Sequence, residues 1–349
     1  MKRKIAIVGL GAAARTIHLP AIAKLPELEI VAGADSMAEE GSFPFKLFAS
    51  IDDLLEFCTP DILVVATPPD THHAFVTQGL RAGCHVFCEK PFMETLEEAD
   101  DIIALADRQD RHVVVNNQYR FMNIHTAAQN CIGTPSFGNL LFVTMHQTFH
   151  MTPETEAGWR GHDTQRTGKE FGIHALDLCR YFFGEEPISI VARMPKGKDP
   201  DGPDFLNLIQ LEFSGDRVAH ITLDRLSRGP HRYLDIRCDG SEGVVETSIG
   251  GRLEASAGLV ARTRQPFARL DISMGGRARL YHGESFRKIA SDPLDLFADA
   301  TARLLGHFTD ALDKGRIPPC DARDNRGTLA LMLAAYKSDE SRGPVLLAA

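Results

Sequence analysis

Through the first third of the chain, short apolar runs rich in valine and isoleucine alternate with longer segments of helical period. That is the pattern of a parallel sheet covered by helices on both faces. The runs predict strands at 5–8, 30–34, 62–66, 85–88 and 113–116. A helix is well marked between the last two: Thr95 and Glu98 have the spacing of a capping box, and Leu96, Ala99, Ile102, Ile103 and Ala106 recur on one face. After about residue 123 the pattern changes to alternating segments at 205–213, 218–223, 233–238 and 243–249, the first two joined by a Ser214-Gly215-Asp216 turn. A helix at 170–183 precedes that run. Two more close the chain, with apolar stripes at Phe297, Ala300, Leu304, Phe308 and Leu312, and at Leu329, Leu333 and Tyr336. The expected architecture is a doubly wound α/β domain at 1–122 and an α+β domain with a mostly antiparallel sheet at 123–349. Residues 195–204, rich in Pro, Gly and Asp, are the expected mobile loop.

Composition narrows the function. The 349 residues are 44% hydrophobic and 24% charged, ordinary for a globular enzyme. Asp and Glu outnumber Lys and Arg, 47 to 38, and no segment concentrates basic residues, so nucleic acid is not an expected partner. The seven cysteines lack CxxC spacing, so neither a disulfide framework nor a zinc site is indicated and a reducing cytoplasm is expected. Lys2-Arg3-Lys4 followed by an apolar stretch imitates a secretory signal, but cleavage there would remove the phosphate-binding loop described next. No other apolar run reaches membrane-spanning length, and no membrane association is expected.

Gly9-Leu10-Gly11-Ala12-Ala13-Ala14 directly follows the first strand and opens a helix, matching the dinucleotide fingerprint of a Rossmann fold with Ala as the third small residue. Gly9 permits the tight turn, Gly11 leaves room for a pyrophosphate, and the helix N-terminus faces the phosphates. Asp35 ends the second strand, where a carboxylate can accept hydrogen bonds from the adenosine ribose and repel a 2′-phosphate. NAD is thus favoured over NADP, with Ser36 leaving dual use open. Thr67, Pro68, Pro69 and His72 follow the third strand at the ligand-binding edge of the sheet. His72 and His73 either cap the next helix or line the cofactor channel. Plainer readings stand beside these: a simple strand-to-helix turn for the glycines and a solvated turn residue for Asp35.

Further along, Cys88-Glu89-Lys90-Pro91-Phe92, Gly158-Trp159-Arg160, Gly172-Ile173-His174-Ala175-Leu176-Asp177-Leu178 and Gly343-Pro344-Val345 occur in order. With the two earlier motifs, the chain resembles the glucose-fructose oxidoreductase/inositol dehydrogenase/MocA family over nearly its whole length. The resemblance implies that Lys90 enters a cleft beside the nicotinamide, with Glu89 and the Lys90–Pro91 bond shaping its loop, and that Trp159 and Arg160 lie near the cofactor. Gln118, Tyr119 and Arg120 are expected in the same cleft. Desolvation beside other cations lowers a lysine's pKa enough to share a substrate proton.

Glu170 and His174, four residues apart, are expected on one helical face, where a carboxylate and an imidazole can address one ligand. Family members commonly have Asp where Glu170 stands, which leaves its role open. Asp177 is expected to orient His174 or hold the helix. Glu170, His174, Asp177 and His162 have metal-binding chemistry, but a hydride-accepting cofactor removes the need for a Lewis acid, and no metal is expected. The expected reaction moves a hydride between nicotinamide and a carbinol carbon of a sugar, sugar derivative or cyclitol, while the hydroxyl proton passes through His174 and Lys90. The alternatives are a redox-assisted glycosidase of the same fold and a non-catalytic NAD-binding regulator. Open strands in the second domain suggest a homodimer or homotetramer.

Overall fold

The structure is a computed structural model and describes residues 2–39, 41–150, 163–196, 202–259 and 263–347. Trp159, Arg160, His162 and part of the 195–204 loop lie outside these. The first sheet holds β1 (Arg3–Val8), β2 (Leu28–Ala34), β3 (Lys46–Phe48), β4 (Ile62–Val65), β5 (His85–Cys88) and β6 (Val113–Val115). All pair parallel in the order β3-β2-β1-β4-β5-β6, which reverses direction at β1 and opens the crevice where such sheets bind ligands. Strands β1, β4 and β5 are buried on both faces, which is why they read as unbroken apolar runs.

The covering helices include α1 (Leu19–Ile22), α2 (Ile51–Phe57), α3 (His72–Arg81) and α4 (Leu96–Gln109). Thr95 caps α4 as expected, accepting from the Glu98 N–H at 3.1 Å. The returning Glu98 carboxylate takes the N–H of Glu94 rather than that of Thr95. The helix α5 (Asn123–Cys131) then leads out of the first lobe.

The second sheet contains β7 (Leu140–Thr148), then, after α6 (Ile173–Phe183), β8 (Ser189–Arg193), β9 (Leu206–Phe213), β10 (Arg217–Asp224), β11 (Arg232–Gly240) and β12 (Val244–Ile249). A separate two-stranded ribbon of β13 (Arg252–Leu259) and β14 (Pro266–Ser273) precedes β15 (Gly276–His282) and β16 (Ser285–Asp292). Helices α7 (Leu296–Asp313) and α8 (Ala322–Ser341) and the short β17 (Val345–Leu346) complete the chain. The nine-stranded order is β16-β15-β12-β11-β7-β10-β9-β8-β17, antiparallel except for the central β7–β10 pair. One face of this sheet is covered by α5, α6 and α8, and among the described residues no helix covers the other.

The chain's end returns to its beginning. Leu304, Leu305 and Phe308 of α7 join Ile5, Ile7, Ile62, Val64 and Phe87 in one buried cluster. Losing a buried aromatic such as Phe308 would cost about 3–5 kcal/mol. Just before α8, the Cys320 carbonyl accepts from Val115 N–H at 2.9 Å, continuing the pairing of β6. Among the described residues no helix is long and apolar enough to cross a membrane.

Candidate active site

Gly9 sits at φ +85° at the end of β1, and a Cβ there would lie 2.6 Å from the Ala66 carbonyl oxygen, so only glycine fits. Gly11 is the opposite case: a Cβ would meet no protein atom within 4 Å, because the backbone faces an open cavity. A helix opens at Ala12, takes a wider π-helical turn over Ala14–His18 and ends with α1. Asp35 points into the same cavity, of about 610 Å³, along with Ser36, Thr67 and Pro68. Its carboxylate is fixed by the N–H groups of Leu10 at 2.7 Å and Met37 at 2.8 Å.

A second cavity of about 310 Å³ shares Ala12, Ala13, Ala66 and Thr67 with the first, so the two form one crevice. Its walls bring together Pro69, Glu89, Lys90, Gln118, Tyr119, Glu170 and His174 from both lobes. Pro68 is extended, but Pro69 already starts a short 3-10 turn, so the diproline spans a corner rather than one straight segment. This crevice fits a dinucleotide: a glycine without neighbours where phosphates need room, a carboxylate at its outer end, and polar side chains at its inner end.

At the inner end, the Lys90–Pro91 peptide bond is cis. Lys90 Nζ donates to the backbone carbonyl of Glu170 at 2.8 Å, which ties the first lobe to the second across the cavity. The Glu89 side chain lies behind it. Its Oε1 accepts from Asn116 at 2.8 Å and is 2.8 Å from His18 Nε2, and its Oε2 meets the Lys90 N–H. Burial opposes ionisation of Glu89, but the His18 contact, the charge of Lys90 and the Asn116 hydrogen bond outweigh it and hold the carboxyl down to about 2. An ionised Glu89 thus anchors the loop that carries Lys90.

His174 is buried against Tyr119, ring on ring, and its Nδ1 has no hydrogen-bond partner. Burial pushes this imidazole well below its ordinary pKa, and the positive charge of Lys90 acts in the same direction. It is therefore neutral near pH 7 and able to accept a proton. Gln118 Oε1 is likewise buried without a partner at the cavity wall.

Several expected positions need correction. Residues Gly168–Gly172 form a π-helical turn ahead of α6, so Glu170 and His174 are not one regular turn apart, although both reach the cavity. The Glu170 carboxylate pairs with Arg166 at 3.2 Å. His72 does not line the crevice: it is fully buried, with Nδ1 2.9 Å from the Pro91 carbonyl and Nε2 3.0 Å from that of Thr67, clamping the two loops together. Arg120 turns away from the cleft to bridge Asp177 and Asp324. Asp177 holds α6 in place through Arg120, Asn117 and Thr328 and makes no hydrogen bond with His174.

Arg166, Lys169, Phe171 and Tyr233 also stand at the cavity wall and were not among the expected site residues. Arg166, four residues before Glu170, carried the only local signal, an i,i+4 charge pair. Behind Phe171 lies Arg225, its guanidinium 3.3 Å from the Phe171 ring centroid and 4.0 Å from that of Phe149. Burial pushes it down to about 9. Among the described residues, no cluster of three or more His, Cys, Asp or Glu is arranged to hold a metal ion.

The crevice defines a dinucleotide-binding fold. The chain belongs to the Gfo/Idh/MocA oxidoreductase family: residues 3–117 match its NAD-binding Rossmann fold and residues 129–347 its C-terminal alpha/beta domain. An uncharacterized oxidoreductase of Schizosaccharomyces pombe is 27% identical over 55% of this chain, and the match spans about half (54%) of that protein. A D-apiose dehydrogenase of Paraburkholderia graminis is 25% identical, covering 96% of this chain and 87% of its own. An Agrobacterium radiobacter oxidoreductase, solved with NAD+, L-tartaric acid and magnesium, shares the fold with a TM-score of 0.82, at 17% identity and with 99% and 98% of the two chains covered.

Proposed function

We propose that the protein is an NAD-dependent dehydrogenase that transfers hydride between nicotinamide and a carbinol carbon of a sugar, sugar derivative or cyclitol. The observation that carries this reading is the meeting of Lys90 and the neutral His174 at the inner end of a dinucleotide-sized crevice. The nicotinamide, when bound, supplies the two-electron acceptor or donor. The chain's own residues handle position and protons. Asp35 receives the adenosine ribose and Gly9, Gly11, Ala12 and Ala13 the pyrophosphate. Lys90, held by the Glu170 carbonyl, polarises the substrate hydroxyl, and His174 Nε2 takes its proton. Stacking on Tyr119 fixes the plane of that imidazole. Arg166, oriented by Glu170, offers a donor to a second substrate oxygen. The D-apiose and inositol 2-dehydrogenases among the relatives support a polyol substrate.

A panel of cyclitols, aldoses, uronic acids and glycosides tests the reading, with nicotinamide absorbance and aglycone release followed together. Net NADH formation with a free polyol supports it. Aglycone release without net NADH would replace it with the glycosidase reading, and no turnover with any compound while NAD binds would favour the regulator.

A further inference from the structure

Behind Lys90, three elements far apart in the chain converge on one carboxylate. His18, in the π-helical turn after the glycine loop, sets its Nε2 2.8 Å from Glu89 Oε1, and Asn116, just past β6, donates to the same oxygen from Nδ2 at 2.8 Å. The third element is α7. Thr301 Oγ1 donates to Asn116 Oδ1 at 3.2 Å, so the amide is held at both ends. His18, Asn116 and Thr301 are all fully buried.

Chemistry fixes the direction of these bonds. An ionised carboxylate only accepts, so Asn116 must turn Nδ2 to Glu89 and Oδ1 to α7, where a donor has to meet it. Thr301 supplies that donor. On the same helix Thr309 uses its hydroxyl internally, on the Gly306 carbonyl at 2.9 Å, which is a common arrangement for a helical threonine. Thr301 instead directs its hydroxyl away from the helix. A hydrogen bond donated to an amide oxygen polarises the amide and strengthens the bond that its N–H donates in turn. At the far end of the row, Glu89 Oε2 meets the Lys90 N–H at 3.2 Å. One turn before Thr301, Phe297 forms part of the inner cavity wall, its ring centroid 5.8 Å from that of Tyr119 and 5.3 Å from that of Tyr233. One face of α7 therefore borders both the cavity and the anchor of its lysine.

Given the part assigned above to Lys90 in the reaction, on which this rests, we propose that Thr301 is a positioning residue for Lys90, acting through the Asn116 amide and the Glu89 carboxylate. With the row complete, one oxygen of Glu89 is pinned by His18 and Asn116. The other holds the backbone from which the Lys90 side chain crosses to the Glu170 carbonyl at 2.8 Å. Without the Thr301 hydroxyl, Asn116 Oδ1 is a buried acceptor that has lost its donor. The amide then shifts to recover one, and its bond to Glu89 weakens as it moves. The loop under Lys90 loosens in consequence, although α7 never touches the lysine itself.

The test compares the full-length wild type with Thr301→Val, which keeps the side chain's shape but removes the donor, and with Thr301→Ser, which keeps the donor. Trace acetylation with acetic anhydride, read lysine by lysine in a mass spectrometer, reports how firmly each amine is held. Lys90 should be acetylated about fivefold faster in Thr301→Val, the effect of one buried hydrogen bond, while the other lysines keep their rates. Thr301→Ser should restore the wild-type rate, and the control Thr309→Val, which deletes a hydroxyl outside the row, should not change it. With a polyol that the panel above finds to be turned over, Thr301→Val should lower kcat about fivefold at unchanged KM for NAD, and add no further loss to Lys90→Ala. A Thr301→Val protein that is folded by circular dichroism and NAD affinity, yet shows wild-type labelling of Lys90, overturns the inference. Equal acceleration of every lysine does so too, because it reports general loosening. Should Thr301→Val fail to fold, Thr301→Ala gives the same comparison with a better helix former. Full activity in Lys90→Ala would remove the catalytic reading and the inference together, whereas an impaired Lys90→Ala beside a fully active Thr301→Val removes the inference alone.

Discussion

The imidazole of His174 lies flat on the phenol ring of Tyr119, centroids 3.9 Å apart and planes 3° from parallel. The stack joins the end of the first lobe to the first turn of α6, so the plane of the proposed proton acceptor is set by the lobe that holds the cofactor. Replacing Tyr119 with Leu should lower kcat about tenfold with the KM for NAD unchanged, and Tyr119→Phe should restore it, because the face matters more than the hydroxyl. A Leu variant with full kcat would show that the stack does not orient the imidazole.

Lys90→Ala should cut turnover by about a hundredfold or more while NAD binding, measured by fluorescence quenching, is largely kept. Retained activity would remove Lys90 from the proton route.

The two fingerprint glycines should fail differently. At Gly9, alanine collides with the Ala66 carbonyl and needs a disfavoured φ, so Gly9→Ala should lower Tm by several degrees. At Gly11 no protein atom stands in the way. Gly11→Ala should leave Tm unchanged and weaken NAD at least tenfold. Paired thermal melts and NAD titrations check this, and equal loss of stability in both variants would count against a phosphate site at Gly11.

Asp35→Ser should weaken NAD relative to NADP by removing the carboxylate that sits beside the glycine loop. The ratio of the two kcat/KM values reads the effect, and an unchanged ratio would mean that the ribose lies elsewhere.

Acid stability should carry the mark of histidines held neutral. Burial, helped by the charge of Arg111, pushes His85 down to about 4, and its Nδ1 accepts the His112 N–H, which only a neutral ring can do. Below about pH 6.5 the unfolded chain takes up a proton that the folded His85 refuses, so stability falls with pH from there to about 4. His85→Asn removes that proton uptake, and its Tm should decline less steeply than the wild type's between pH 6.5 and 4. Identical slopes in calorimetry would contradict the assignment.

How much of this was legible depended on how local each signal is. The 85–88 strand could be read to the residue because Val86, Phe87 and Cys88, buried on both faces of a parallel sheet, form an apolar run. The strand β7 could not, although it lies mid-sheet, because Thr144, His146 and Gln147 interrupt its apolar run. The glycine loop and Asp35, 25 residues apart, meet in space and were found because the dinucleotide fingerprint fixes their spacing. The Glu89 anchor instead draws on His18 and Asn116, 71 and 27 residues away, and nothing in the spacing foretells that pairing. Glu170 and His174 were found by a helical count that the π turn then broke, and His72 was misplaced because its two carbonyl partners come from separate loops.

The return of α7 and the Cys320 segment to the first sheet makes the molecule behave like a parcel tied by its own string. A fragment cut after residue 122 would leave Ile5, Ile7 and Phe87 facing water where Leu304 and Phe308 now cover them. The nucleotide half is therefore not an exchangeable cassette, and inserting a foreign domain at that seam would separate the sheet from its lid. Swaps between relatives would have to carry the last fifty residues along with the first hundred.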